Sequence, residues 1–141
     1  MEILNRKARY DYNVIDTYEA GIVLTGSEIK SIRKGNCNLK DSYGIYRDGE
    51  VYMLNMHISK YEEANIFNHD ETRTRKLLLN KKEIYKIRDK VNIDGLTLIP
   101  LKLYFKGNYA KIELGICKGK KNYDKRETIK ERDLLRTVKN Y

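Results

Sequence analysis

Two histidines, two cysteines and a scatter of carboxylates are the side chains from which this 141-residue chain would have to build catalysis or a metal site. A nucleophile needs a base within hydrogen-bond reach, and a metal needs several donors at short spacing. Neither pattern is found. His57 falls in a strand-like run and His69 in a polar loop, while Cys37 and Cys117 are too few and too far apart for a zinc spacing or a disulfide framework. Asp41 and Asp48 sit in turn-like sequence, and Glu28 has a capping role at a helix start. Phosphate-cradling Gly loops, HExxH and GxSxG are all missing. The sequence therefore points away from an enzyme and implies no cofactor and no metal; a nuclease built from scattered carboxylates is the catalytic alternative that it leaves.

Polyanion binding is the chemistry that the composition supports. The chain carries 29 Lys and Arg against 20 Asp and Glu, a net charge of +9, which suits nucleic acid. The excess is uneven: residues 118–141 hold nine basic and four acidic residues, leaving 20 and 16 for residues 1–117. Basic residues lie beside amides and aromatics in "SIRKGNCNLKDSY" (Arg33, Lys34, Asn38, Lys40, Tyr43) and in "NMHISKY" (Asn55, His57, Lys60, Tyr61). That mixture grips phosphates and stacks bases. A solvated surface accounts for any single lysine, so the argument rests on the clustering.

The elements that must position these residues are legible in part. "DYNVIDTYEAGIVL" reads as a long first strand. In "LTGSEIKSIRKG", Thr25 and Glu28 form a capping box, Leu24 can staple against Ile29, and Gly35 ends a helix of about two turns. "SYGIYRDGEVYMLNMHIS" is a hairpin turning at Asp48-Gly49, with Val51 to Ile58 as its returning strand. Residues 59–75 show no clear period and read as a long loop carrying Arg73 and Arg75. "KLLL" is a short strand, and Asn80 with Glu83 repeats the capping box ahead of a helix whose Ile84, Ile87 and Val91 share one face. A second hairpin follows, with Ala110, Ile112, Leu114 and Ile116 inward, Lys111 and Glu113 outward, and Pro100 marking an edge or bulge. The order β-α-β-β, loop, β-α-β-β predicts a mainly β protein: an OB-like closed antiparallel barrel of about six strands with two helices over its openings. It spans residues 1–118, with 119–141 as a basic C-terminal tail, disordered when free.

The chain has no apolar run near the roughly 18 residues of a membrane span and no apolar core of a signal peptide at its start. A soluble, monomeric, cytoplasmic protein is expected. The tail, "GKKNYDKRETIKERD" from Gly119 to Asp133, contains one large aliphatic residue, Ile129. Packing cannot explain it. Lys118, Lys120 and Lys121 around Gly119 make a flexible basic hinge, Tyr123 offers a stacking face, and the mixed charges that follow suit a helix formed on docking.

Specific strings go further. "NRKARYDY", "EAGIVLTGSEIKSIRKGN", "NLKDSY", "NMHIS", "FNHD", "RKLLLNKKEI", "GLTLIPLKLYF" and "GKKNYDKRETIKERD" resemble, in order and spacing, the bacterial SsrA-binding protein (small protein B) family. The resemblance implies an OB-type barrel that binds the tRNA-like domain of transfer-messenger RNA and helps deliver it, with elongation factor Tu, to stalled ribosomes for trans-translation. For RNA contacts it implies Arg33, Asn38, Lys40, Asn55 and His57, then Arg73, Arg75 and Lys76, with Glu28 matching an acidic residue tied to RNA binding. It also implies that the tail enters the decoding centre and empty message channel of the small ribosomal subunit. Gly119 matches the hinge glycine, and Asp124, Lys125 and Arg126 match the DKR signature. The resemblance further implies that Lys120, Lys121, Lys130 and Arg132 supply charge toward ribosomal RNA. Tyr123 stands where relatives often have His, and the chain ends in "LLRTVKNY", without the family's usual Trp or Glu-Arg pattern. A general single-stranded nucleic-acid-binding or ribosomal OB-fold protein is the alternative reading.

Overall fold

Both capping boxes form. The helix α2 (Gly26–Arg33) starts where Thr25 Oγ1 accepts from the Glu28 amide at 3.3 Å and the Thr25 amide donates to Glu28 Oε1 at 2.8 Å. The helix α3 (Lys81–Asn92) repeats the device, with Asn80 Oδ1 accepting at 2.9 Å and Glu83 Oε1 accepting at 3.2 Å. Each box satisfies two N–H groups that a helix start leaves without partners, and its loss costs about 1 kcal/mol. Gly35, at φ +82°, takes the left-handed turn that releases the chain from α2.

The computed structural model describes residues 1–61 and 68–120. Besides α2 and α3, the described residues hold a short helix, α1 (Ala8–Asp11), and nine strands. These are β1 (Glu2–Leu4), β2 (Tyr12–Ile22), β3 (Cys37–Asn38), β4 (Tyr43–Arg47), β5 (Glu50–Leu54), β6 (His57–Ile58), β7 (Arg75–Leu78), β8 (Thr97–Lys106) and β9 (Tyr109–Gly119). Every pairing is antiparallel. Six strands pair in a ring, β8-β4-β5-β7-β2-β9 and back to β8, with β1 added along β8. The β3–β6 pair is a separate two-stranded ribbon. The ring's weakest seam is β4–β8, joined by the single register pair Gly44↔Leu98. A Cβ on Gly44 would lie 2.9 Å from Leu98 Cβ, so the seam closes because residue 44 has no side chain.

Inside the ring lies the main core. Ala110, Ile112, Leu114 and Ile116 face it from β9 as the alternation predicts, joined by Val51, Met53, Leu77, Leu98 and Leu103. Ile32 of α2 and Ile84 and Ile87 of α3 complete it. Each fully buried Ile or Leu contributes about 1.5–3 kcal/mol relative to exposure.

Two bulges interrupt the alternation of the sheet. Pairing of β8 with β9 shifts between Pro100 and Lys102, and that of β2 with β9 between Val14 and Asp16. An extra residue in one strand turns the side chains beyond it to the opposite face. Leu98 and Leu103 therefore face the main core, while Ile99 and Leu101 join Ala8 and Cys117 in a small outer cluster under α1.

Several elements differ from expectation. The β1 strand and α1 carry no sequence signal of their own. The returning strand expected over Val51 to Ile58 is split into β5 and β6 by Asn55, whose φ of +60° leaves the extended region. The last strand runs through Gly119, which pairs with Tyr12.

Candidate nucleic-acid interface

Glu28 does more than cap a helix. Its side chain is fully buried and is gripped from two sides by residues about 45 positions away. Arg73 donates from Nη2 to Oε1 at 2.7 Å and from Nε to Oε2 at 3.2 Å, a bidentate pair. Arg75 donates from Nε to Oε2 at 2.7 Å, and its remaining donors reach the Met56, Asp70 and Glu71 carbonyls. Burial pushes the Glu28 carboxyl up, but Arg73, the Thr25 amide and Arg75 outweigh it and hold the group below its ordinary value of 4.5. Among the described residues no buried side-chain N or O lacks a hydrogen-bond partner. Every buried polar atom of this cluster is thus partnered, the condition under which buried charges are tolerated.

That buried cluster joins α2 to β7 and to the approach to the ribbon. Further bonds extend the block. Ser31 Oγ donates to the Ser59 carbonyl at 2.6 Å, the Ser59 amide donates to the Asn36 carbonyl at 3.0 Å, and the Ile58 amide donates to the Glu71 carbonyl at 2.9 Å. His69 is buried, with Nε2 donating to the Ile58 carbonyl at 2.8 Å. A carbonyl only accepts, so in neutral His69 Nδ1 is the acceptor for the Ser27 hydroxyl at 2.8 Å. His69 thus fastens α2 to β6.

On this block stand most of the side chains singled out for RNA. Arg33 is exposed at the end of α2 with its guanidinium 4.2 Å from the Phe105 ring centroid, a stacked arrangement that leaves its charge toward solvent. Lys30 and Lys34 approach the Tyr61 ring at 5.5 and 4.9 Å. Asn38 and His57 are opposite one another in the ribbon, and His57 Nε2 lies 3.6 Å from Glu71 Oε2. Lys40 is exposed one turn beyond, its amide bonded to Asn38 Oδ1 at 2.8 Å. Asn55 is exposed at the strand break and its carbonyl accepts from Ser42 Oγ at 3.3 Å. The geometry unites these two sequence clusters, "SIRKGNCNLKDSY" and "NMHISKY", through the β3–β6 ribbon.

Other residues sit apart. Arg75 has no exposed surface and its guanidinium is used up inside the chain, so it can influence a ligand only through what it holds. Arg73 is one-third exposed and also committed to Glu28. Lys76 lies on the sheet, opposite Tyr52 and 3.6 Å from Glu50. Gly119 closes β9, and the Lys120 amide donates to the Asp11 carbonyl at 3.0 Å. Lys121, Tyr123, Asp124, Lys125, Arg126, Lys130 and Arg132 lie outside the described residues.

Sequence reasoning missed Lys30, Phe105 and two exposed apolar residues, Val23 just past the end of β2 and Leu78 in β7. Lys30 is four residues before Lys34 on one helix, a spacing that flags a shared face. Phe105 and Leu78 give no local signal. The two thiols are held protonated by burial, Cys37 pushed up to about 12 and Cys117 to about 11. No group of His, Cys, Asp or Glu among the described residues is arranged to hold a metal. None of their helices is long and apolar enough to cross a membrane.

Known proteins resemble this chain in sequence and fold. The family model described as SmpB protein matches residues 2–141. The SsrA-binding protein of Ligilactobacillus salivarius (strain UCC118) is 55% identical over 141 aligned positions, covering 97% of this chain and 91% of that protein. The SsrA-binding protein of Carboxydothermus hydrogenoformans is 58% identical over 134, covering 95% and 90%. A solved structure described as "tmRNA-SmpB: a journey to the center of the bacterial ribosome" has a TM-score of 0.73 at 44% identity, covering 91% of this chain and 94% of that one. With likeness of this degree along nearly its whole length, the chain belongs to the SmpB protein family.

Proposed function

We propose that this chain is a non-catalytic RNA-binding cofactor of ribosome rescue, which binds the tRNA-like domain of transfer-messenger RNA and helps deliver it to stalled ribosomes for trans-translation. Kinship along the full chain with SsrA-binding proteins carries this reading. It is supported by the similarity of the fold to a chain solved as tmRNA-SmpB in the ribosome. The six-strand ring is read as a small OB-like barrel with α2 and α3 at its openings. The ribbon, α2 and Tyr61 form the RNA face: Arg33, Lys30, Lys34 and Lys40 meet phosphates, while Asn38, Asn55 and His57 meet sugar or base edges. Glu28, Arg73 and Arg75 act by holding that face in shape, and Lys76 is a peripheral contact. Residues 119–141 are read as the tail that enters the decoding centre and message channel, ordering on contact with ribosomal RNA. Elongation factor Tu is a partner within the delivered complex, and the protein works as a cytoplasmic monomer.

Competition binding tests the assignment. Transfer-messenger RNA is expected to displace other RNAs from the protein at low concentration, and equal affinity for a random single-stranded oligonucleotide would overturn it in favour of a general nucleic-acid binder.

A further inference from the structure

Residues 5–11 supply none of the side chains of the RNA face and touch it through Asn5, whose side-chain amide donates to the Leu39 carbonyl at 3.3 Å. The ring begins at Tyr12, and none of residues 5–11 lines the main core. They close a second cluster on the outer face, in which Ala8, Ile99, Leu101 and Cys117 are all more than nine-tenths buried. Gly115 is its floor: a Cβ there would lie 3.0 Å from Leu101 Cδ1 and 3.1 Å from Cys117 Sγ, so both side chains lie flat on β9 because that position is bare. Asn5 locks the roof. Its side-chain amide donates to the Pro100 carbonyl at 2.9 Å and its backbone amide to the Leu101 carbonyl at 2.9 Å, covering the bulge.

The far end of this cluster is where the tail leaves. Gly119 pairs with Tyr12, whose side chain packs against the cluster, and the Lys120 amide donates to the carbonyl of Asp11, the last residue of α1. Ala8, on the same helix, is in the cluster. A displacement of α1 is therefore a displacement of the point from which residue 121 departs.

We infer that the Ala8–Ile99–Leu101–Cys117 cluster is a mount for the C-terminal tail, fixing its origin and initial direction relative to the RNA face. The inference rests on the reading that the tail acts on the ribosome. Glycine at 119 permits many directions, and β9 alone would fray at its end; the bond from α1 removes that freedom. A fixed origin raises the effective concentration of the tail at a site set by the bound RNA. Leu101 and Ala8 are positioning residues in this scheme.

Leu101→Ala loosens the mount without touching the RNA face. A Gly-Gly-Ser insertion between Gly119 and Lys120 uncouples the tail without altering the body. A chain cut after Gly119 reports whether the tail matters at all. Each is compared with wild type by hydrogen exchange, gel shift on the tRNA-like domain and peptide-tag addition on stalled ribosomes. In Leu101→Ala, exchange at the Lys120 amide is expected to rise about tenfold or more while Ile112 stays protected. Tag addition by both variants is expected to fall about tenfold, with RNA affinity held within about twofold. Wild-type tagging by both variants, beside a cut chain that fails to tag, would overturn the mount alone. Lost tagging with the Lys120 amide still protected in Leu101→Ala would also overturn it. Full tagging by the cut chain would remove the reading of the tail, and the mount with it.

Discussion

Replacing Glu28 by Gln separates a helix cap from a buried ionic cluster. A capping box accepts Gln as readily as Glu, so a residue that only caps would tolerate the change. Here the change leaves Arg75, with no exposed surface, and the one-third-exposed Arg73 facing a neutral amide. Breaking a buried pair by neutralising one partner costs about 3–5 kcal/mol. For a body of this size that is a fall in melting temperature of about 10–20 °C. Because total stability is of order 5–15 kcal/mol, the variant is expected to fold but to sit near its limit. Urea unfolding with intact slope is the assay, run beside Glu28→Ala and the double variant Glu28→Gln/Arg75→Met, which removes the stranded charge and is expected to recover part of the loss. Acid adds an independent check. The Glu28 carboxyl is held below 4.5 when folded, so its contribution is complete above that pH and lost as pH falls through the lowered value. Wild type is therefore expected to lose more stability than Glu28→Gln on acidification below pH 4.5. A Gln variant within about 0.5 kcal/mol of wild type at pH 7 would refute the claim that this cluster holds the RNA face together.

Gly44→Ala puts a Cβ 2.9 Å from Leu98 Cβ at the ring's single-pair seam; a loss of about 1–3 kcal/mol is expected in urea unfolding, as for other overpacked sites. Arg33→Ala is expected to weaken binding of transfer-messenger RNA and to reduce the salt dependence of log Kd by about one phosphate's worth, whereas Arg33→Lys keeps the salt slope but loses the plane stacked on Phe105; filter binding across a salt series reads both. Tyr123→Phe is expected to support tag addition, and Tyr123→Ala to lose about 1–3 kcal/mol of stacking on ribosomal RNA, seen as reduced tagging with unchanged gel shift.

What could be read from the sequence was what local physics dictates. Thr25 with Glu28 and Asn80 with Glu83 announce their helices because both halves of each box lie within four residues. The alternation from Ala110 to Ile116 announces its inward face for the same reason. The misses are non-local. A three-residue β1 is a strand only because β8 lies beside it, about a hundred positions later, and the two-residue halves of the β3–β6 ribbon are below any periodic signal. Asn55 breaks its strand by adopting a left-handed conformation that its residue type permits but does not demand. The candidate site divides the same way: its basic and aromatic residues were legible as clusters, whereas the ionic centre beneath them was not, because Glu28 shows its capping role locally and meets Arg73 and Arg75 only once the chain has folded.

The bulges at Ile15 and Leu101 make strand length a matter of parity. Each is one residue more than its partner strand requires, and each decides whether the residues on one side of it count as odd or even with respect to the interior. Deleting Leu101 would remove the bulge and leave Leu98 and Leu103 facing the interior from a regular strand, at the cost of one outer-cluster side chain, whereas a second residue lost from β8 would turn one flank of the strand over and exchange the two cores' linings. Natural variation in chain length should therefore fall mainly at places outside this counting, such as the Gly107 turn between β8 and β9, and a relative with one residue fewer in β8 should lack the bulge and keep both linings.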